Sequence, residues 1–433
     1  MTPRAALWLL LFHLPGLLLA QSTSSLQKQS KQLLSKGEYA KAASLLERAG
    51  RLKNSDPDLL FQAGEAYRRV RDYQNAANCY QNASGDSRFP LAGLYYARCL
   101  KQEGLLEMAQ KALEDFALNY RGKEKALIIN VVENELRGIE LAKSLEEKKM
   151  EPGDSVAWLG SPVAKARNNF APIPFGDTIL YYSEAVEPQC RLMRCILKNG
   201  SWQNPEIARG LPSSAAQNFL SGCFSSDGQR FYFVRTESAP VASKGSSLEA
   251  GKGTLYMLSR DINGSWESEL TLPDYINLPG SSNLWPFVCE SGDQEYLFFA
   301  SNRPGGMGGF DLYVCQRSIY SQHMDFSFPQ NLGNVVNTGA DEANPYFDVF
   351  SGRLWFNSMG HPGLGGQDIF YSHGINRDWS KPVNAGKPIN SGADDMFFVL
   401  KRNGLGGFFV SNRKAGTEKE GNGDDDLFEV FFR

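Results

Sequence analysis

Histidine is scarce in this chain of 433 residues, with four in all, and none stands at a metal-ligand spacing. The seven cysteines contain no CxxC pair, and their odd number leaves at least one unpaired within the chain. Zinc fingers and ribbons are thereby excluded, and buried free thiols are expected over a disulfide framework, although a bond after export stays open. Charge of one sign is lacking too. Lys and Arg number 45 against 48 Asp and Glu, a net charge of -3, so nothing global draws the chain to nucleic acid or an acidic membrane surface. No P-loop, catalytic triad or zinc motif occurs, and no cofactor or metal is expected. After the first twenty residues no apolar run is long enough to span a bilayer.

Those first residues read as a cleaved secretory signal over 1–20. Arg4 gives the positive end, Ala5 to Phe12 and Leu17 to Leu19 the apolar part, and Ala20 the residue before the cut. His13, Pro15 and Gly16 interrupt the run, which argues against a membrane anchor. The first cysteine is Cys79, so no lipid-bearing cysteine follows the cut. The mature protein is expected to be exported, not lipidated, and to meet a membrane only through partners.

Residues 22–149 carry helix-period apolar patterning with few prolines. A repeat of about 34 residues runs through them. Its units show Gly37, Tyr39, Ala42, Leu46 and Ala49, then Gly64, Tyr67, Asp72, Tyr73, Ala76, Tyr80 and Ala83, then Ala97, Gly104, Ala109, Leu113 and Phe116. This pattern resembles tetratricopeptide repeats, with Phe116 departing from it by replacing a small residue. Lys123 to Glu147 reads as a longer closing helix. The resemblance implies a concave face bearing Gln27, Lys31, Phe61, Glu65, Arg68, Leu94, Arg98 and Lys101. Lys31, Arg68, Arg98 and Lys101 form either a basic column for an acidic tail or an ordinary solvated face.

Composition changes after Met150, where Glu151-Pro152-Gly153-Asp154 breaks the helix. Short aromatic and β-branched runs follow, separated by Gly, Asn, Asp and Pro. Tyr296 to Tyr313 reads as strand, glycine-rich turn, strand, and it recurs from Leu354 to Phe370 and from Gly407 to Phe428. Asp311 and Asp368 lie 57 residues apart, and Asp368 and Asp426 lie 58 apart. That period, with several strands in each unit, marks a propeller. Inner strands begin near Phe170, Phe219, Pro286, Pro345 and Phe397, which makes five blades over 151–433. Val156-Ala157-Trp158-Leu159 is spare and is predicted to be the outer strand of the last blade, against the Phe428 end. The fold class is therefore multidomain, a helical array of tetratricopeptide type followed by an all-β five-bladed propeller.

Ser301-Asn302-Arg303-Pro304-Gly305-Gly306, Phe310-Asp311-Leu312-Tyr313 and Asn331-Leu332-Gly333 with Asn337-Thr338 resemble the WD40-like, TolB-related propellers of Bacteroidota envelope proteins. Relatives of the PorE kind join a tetratricopeptide region, this propeller and an OmpA-like peptidoglycan-binding domain, which this sequence lacks. The resemblance implies a non-catalytic periplasmic scaffold or adaptor for protein–protein interactions, accessory to type IX secretion or outer-membrane assembly. Its expected partners are envelope or secretion-system proteins, with glycan or peptidoglycan as a further partner. Arg303, Asp311, Asp368, Arg413 and Asp426 recur in the hairpins. An Asp there can accept the turn's free N–H groups and an Arg can pair with an Asp, or these residues form a recognition surface.

The alternative function is a carbohydrate-active propeller enzyme or a glycan-binding module. Glycosidic cleavage needs paired carboxylates. Asp348 is the one acidic residue in the inner-strand phrases, while Asp341, Glu342, Asp394 and Asp395 stand where those strands begin. Their repetition in two blades favours turn-capping. Gly421 to Asp426 reads as a solvated loop or an oxygen-rich Ca²⁺ site. His323, His361 and His373 fall in predicted loops.

Overall fold

The computed structural model describes residues 22–147, 154–163, 168–186, 189–211, 218–237, 252–321, 324–374, 378–415 and 424–432. The signal segment, the Glu151-Pro152-Gly153 break, His323 and Gly421 to Gly423 lie outside them.

Seven α-helices come first among the described residues: α1 (Thr23–Leu34), α2 (Tyr39–Leu52), α3 (Pro57–Arg69), α4 (Tyr73–Ala83), α5 (Ala92–Gln102), α6 (Leu106–Asn119) and α7 (Lys125–Glu147). Each packs on the next, and α7 also returns to α5. Small residues let the axes approach: Ala42, Ala76 and Ala109 are fully buried, and a Cβ on Gly64 would stand 2.9 Å from the Tyr80 ring. Starts are set by side chains that satisfy free N–H groups. The Asp56 carboxylate accepts from Asp58 and Leu59 at 3.0 and 3.3 Å, with Pro57 opening α3. Asp72 accepts from Asn75 at 3.2 Å at the head of α4.

From Ser155 onward the chain is a five-bladed β-propeller. Strand β1 (Ser155–Trp158) precedes the first blade, made of β2 (Asn169–Phe175), β3 (Ile179–Val186), β4 (Gln189–Lys198), β5 (Ser201–Trp202) and β6 (Glu206–Ile207). The second holds β7 (Asn218–Phe224), β8 (Arg230–Thr236), β9 (Gly253–Ser259) and β10 (Leu270–Thr271). The third holds β11 (Asn283–Ser291), β12 (Gln294–Ser301), β13 (Asp311–Ser318) and β14 (Gln330–Asn331). The fourth holds β15 (Glu342–Asp348), β16 (Arg353–Ser358), β17 (Asp368–His373) and β18 (Val383–Asn384). The fifth is β19 (Asp395–Leu400), β20 (Gly406–Ser411) and β21 (Asp426–Phe431), completed by β1. Trp158 stands opposite Phe428 and Ser155 opposite Phe431, so the two ends of the domain are hydrogen-bonded in one blade.

Middle strands are apolar on both faces because each blade is covered by its two neighbours. Phe231, Tyr232, Phe233 and Val234 are all fully buried in succession, where a half-exposed strand would alternate. Burying each such phenylalanine contributes about 1.5–3 kcal/mol. Every inner strand carries a β-bulge, between Phe170 and Ile173, Phe219 and Ser221, Leu284 and Phe287, Ala343 and Tyr346, and Met396 and Val399. Four of these bulges hold a non-glycine residue in the left-handed region: Ala171 (φ 50°), Trp285 (52°), Asn344 (51°) and Phe397 (55°). Bulges re-aim side chains. Here they present the floor of the cavity described next.

Candidate functional site

The helical array sits on the propeller through a residue in an unusual conformation. The turns inside the three helix pairs end alike, with Glu38, Asp72 and Leu105 donating N–H to the carbonyls of Leu33, Tyr67 and Leu100. The residue before each of these three has positive φ: Gly37 at 73°, Arg71 at 56° and Gly104 at 76°. Glycine meets that geometry without strain, whereas an L side chain there costs about 1–2 kcal/mol. Arg71 is 4% exposed and extends into the fifth blade, 2.8 Å from Asp425 and 3.2 Å from Asp394. Burial alone would depress the guanidinium's pKa, and the two carboxylates more than reverse that.

Helix α7 makes a second contact, with the fourth blade. Asn134 donates to Gly360 O at 3.1 Å, and a Cβ on Gly138 would run into Gly363 O. Leu364 of the same hairpin is buried in the helical core. The array is thereby fixed over the hairpin side of blades four and five.

Between the two parts lies a cavity of about 740 Å³ at the mouth of the ring. Trp285, Phe310 and Phe397 line its propeller side, with the Trp285 ring 5.7 Å from Phe310 and 6.4 Å from Phe397. Asn344, Asp341 and Asp394 stand beside them. The helical side presents Arg68, Tyr95, Arg98, Lys101, Gln102 and Glu135. Glu135 receives Arg98 Nε and Lys101 Nζ, each at 2.8 Å. Burial works against its charge, but Lys101 and Arg98 hold its carboxyl down at about 2, so it is an anion at neutral pH.

Asp341 and Asp394 occupy equivalent places in blades four and five. Asp341 Oδ1 accepts the Phe310 N–H at 2.8 Å, and Asp394 Oδ1 accepts that of Gln367 at 3.1 Å. Each therefore caps a hairpin, yet each also faces the cavity. Asp341 Oδ2 makes no hydrogen bond within the described residues, whereas Asp394 is paired to Arg71. Asp348, named with them as a candidate acid, is elsewhere. It caps the far turn of its blade, accepting from Phe350 and Ser351 at 3.2 and 3.3 Å.

The predicted concave face is only partly open. Arg68, Arg98 and Lys101 reach the cavity, but Arg68 is paired to Glu65 at 2.9 Å and donates to Tyr80 at 3.3 Å. Leu94 and Lys101 are buried, and Phe61 stacks on Phe89 at 4.4 Å. Lys31 is exposed at the distant first helix. A free basic column is thus replaced by ion pairs, because α7 brings Glu135 onto α5.

The hairpin residues hold the blades together. Asp311 accepts from Met307 and Gly308 N–H at 2.6 and 3.2 Å, and Asp368 from Leu364 and Gly365 at 2.5 and 3.0 Å. Asp426 lies within 3.4 Å of Asn169 Nδ2, across to the first blade. Arg303 donates to Tyr275 O at 3.3 Å, Ile276 O at 2.6 Å and Asn283 Oδ1 at 3.0 Å; Arg413 donates to the matching Pro388 O at 2.8 Å, to Ile389 O and to Asp395 at 2.6 Å. In blade four His361 takes this part, with a ring nitrogen 2.8 Å from Val336 O. Asp425, read as part of a solvated loop, is fully buried against Arg71. The seven cysteines form no disulfide with one another, and six are buried. No helix among the described residues is long and apolar enough to cross a membrane.

No family model matches the sequence, and no curated protein matches it. Solved structures similar to this chain include the α-L-arabinofuranosidase from Lactobacillus brevis, 13% identical over 62% of this chain and 92% of that one, with a TM-score of 0.36. The endo-arabinase from Bacteroides thetaiotaomicron is 12% identical over 64% and 98%, with a TM-score of 0.40. The exo-β-1,3-galactanase from Clostridium thermocellum is 13% identical over 63% and 61%, with a TM-score of 0.37. All three are, by name, enzymes of saccharides. On that finding the expected non-catalytic scaffold is corrected. At these identities and scores the likeness is one of fold and gives neither residues nor substrate.

Proposed function

We propose that the protein is a carbohydrate-active propeller that holds a saccharide in the cavity between helices and ring. The observation that carries this reading is the cavity's own chemistry: Trp285, Phe310 and Phe397 beside Asp341, Asp394, Asn344 and Gln102. A sugar ring has an apolar C–H face, which an aromatic wall accepts, and a rim of hydroxyls that need amides and carboxylates. Glycosidic cleavage uses one carboxyl to protonate the leaving oxygen and a second to attack or to activate water. Asp394, paired to Arg71, suits the second task, and Asp341, which has no cation partner, suits the first.

The test is incubation of the full chain with defined plant and bacterial cell-wall oligosaccharides, with products read by mass spectrometry. The expected result is release of product by the native protein and a loss of about 100-fold or more in Asp341→Asn, with binding kept. Neither binding nor cleavage across the panel would overturn the proposal.

Two finer readings accompany it. The helical array is of tetratricopeptide type, supported by buried Ala42, Ala76 and Ala109 recurring about every 34 residues. The protein is exported, supported by the Arg4-led apolar segment at its N-terminus.

A further inference from the structure

Two walls of different character face each other across the cavity. On the helical wall Arg98 and Lys101 share a single carboxylate, Glu135, which leaves one positive charge over. Lys101 is 3% exposed and spent on that pair. Arg98 binds Glu135 through Nε alone, its side chain is 37% exposed, and its two Nη groups make no hydrogen bond within the described residues. Arg68 Nη1 is likewise uncommitted, since its Nε and Nη2 serve Tyr80 and Glu65.

On the propeller wall the bulge residue Asn344 is 7% exposed, and its Nδ2 is buried without a hydrogen-bond partner. A buried donor left unmet costs about 1–3 kcal/mol. Its left-handed backbone is the bulge conformation it shares with Ala171, Trp285 and Phe397, and it turns the side chain toward the cavity. The uncommitted polar groups named here are thus mostly donors, with Asp341 Oδ2 the carboxylate oxygen set against them.

Resting on the reading of this cavity as a saccharide site, we propose that it selects an acidic sugar, a uronic acid residue. The sugar's carboxylate meets the Nη groups of Arg98, and its ring oxygens meet Asn344 Nδ2. Guanidinium and carboxylate match in a two-pronged, charge-assisted arrangement that a neutral hydroxymethyl group cannot make. The helical array is then the specificity wall of the site, and the propeller supplies the aromatic floor and Asp341.

The experiment compares trigalacturonate with the same trisaccharide after reduction of its carboxyls to alcohols, by calorimetry on the unaltered full chain. The acid form is expected to bind about 10-fold or more tighter. In Arg98→Gln that ratio should fall to about 3-fold or less, with the carboxyl-reduced form bound as before. The ligand-side change leaves the protein intact, so a poorly folding variant cannot decide the outcome. Equal binding of both forms to the native chain overturns the acidic-sugar inference and leaves the saccharide site standing. Binding of neither form, nor of any other saccharide, overturns both.

Discussion

Replacing Arg71 by alanine tests whether helices and propeller form one structural unit. The change removes the guanidinium that lies 2.8 Å from Asp425 and 3.2 Å from Asp394, carboxylates that are fully buried and 9% exposed. Stranding buried charges in this way costs about 3–5 kcal/mol, far beyond the loss of an exposed pair. Alanine keeps the left-handed backbone at φ 56°, so Arg71→Gly should be about 1 kcal/mol less damaging than Arg71→Ala. Urea unfolding gives separate views of the two parts, because no tryptophan lies in residues 22–147 while Trp158, Trp202, Trp266, Trp285, Trp355 and Trp379 all lie in the propeller. Helical circular dichroism follows the array and tryptophan emission the ring. The native chain should lose both signals together, and Arg71→Ala should lose helix at lower urea than emission. A loss below about 1 kcal/mol, with the two signals still coincident, would refute the idea that this ion pair locks the parts together.

Other perturbations probe the remaining contacts. Glu135, held at about 2 against an ordinary 4.5, stabilises the packing of α7 on α5 above its unfolded value. That contribution should fade as pH drops from about 4.5 toward 2, and Glu135→Gln should flatten the acid limb of a thermal-melt profile. Burial raises Asp368 to about 6, the opposite sign: its contribution is full below its unfolded value and is lost as pH rises through about 6. Asp368→Asn should remove that slope between acid and neutral pH in the same melts. Asn337 bonds both the N–H and the C=O of Leu312, at 2.8 and 3.1 Å, as a neighbouring strand would. Asn337→Ala should cost about 2 kcal/mol or more by equilibrium denaturation, since buried backbone groups are left unpaired.

The propeller was the more legible part of the sequence. The spacing of Asp311 and Asp368 reports a repeat because each meets the N–H groups of the same glycine-rich turn. The role of Asp341 was half legible. Its recurrence with Asp394 signals a cap, and both do cap, but the cavity beside them depends on a second domain that no period in the ring records. Arg71 was missed although a signal was present: it stands where the other two helix pairs carry Gly37 and Gly104. A large charged residue at a glycine position implies that something repays the strain. Glu135 could not be found by inspecting the helical repeat, because it reaches Arg98 from a helix outside that repeat. Four positive-φ bulge residues in the inner strands were equally hidden, since a bulge changes register without changing composition.

The most direct measurement of the central claim is a product assay on a panel of neutral and acidic cell-wall oligosaccharides, run with the native chain, Asp341→Asn and Asp394→Asn. The expected result is saccharide release by the native protein, abolished in both variants while the oligosaccharide still binds. Release that persists unchanged in both variants, or a native chain that neither binds nor cleaves any member of the panel, would contradict it.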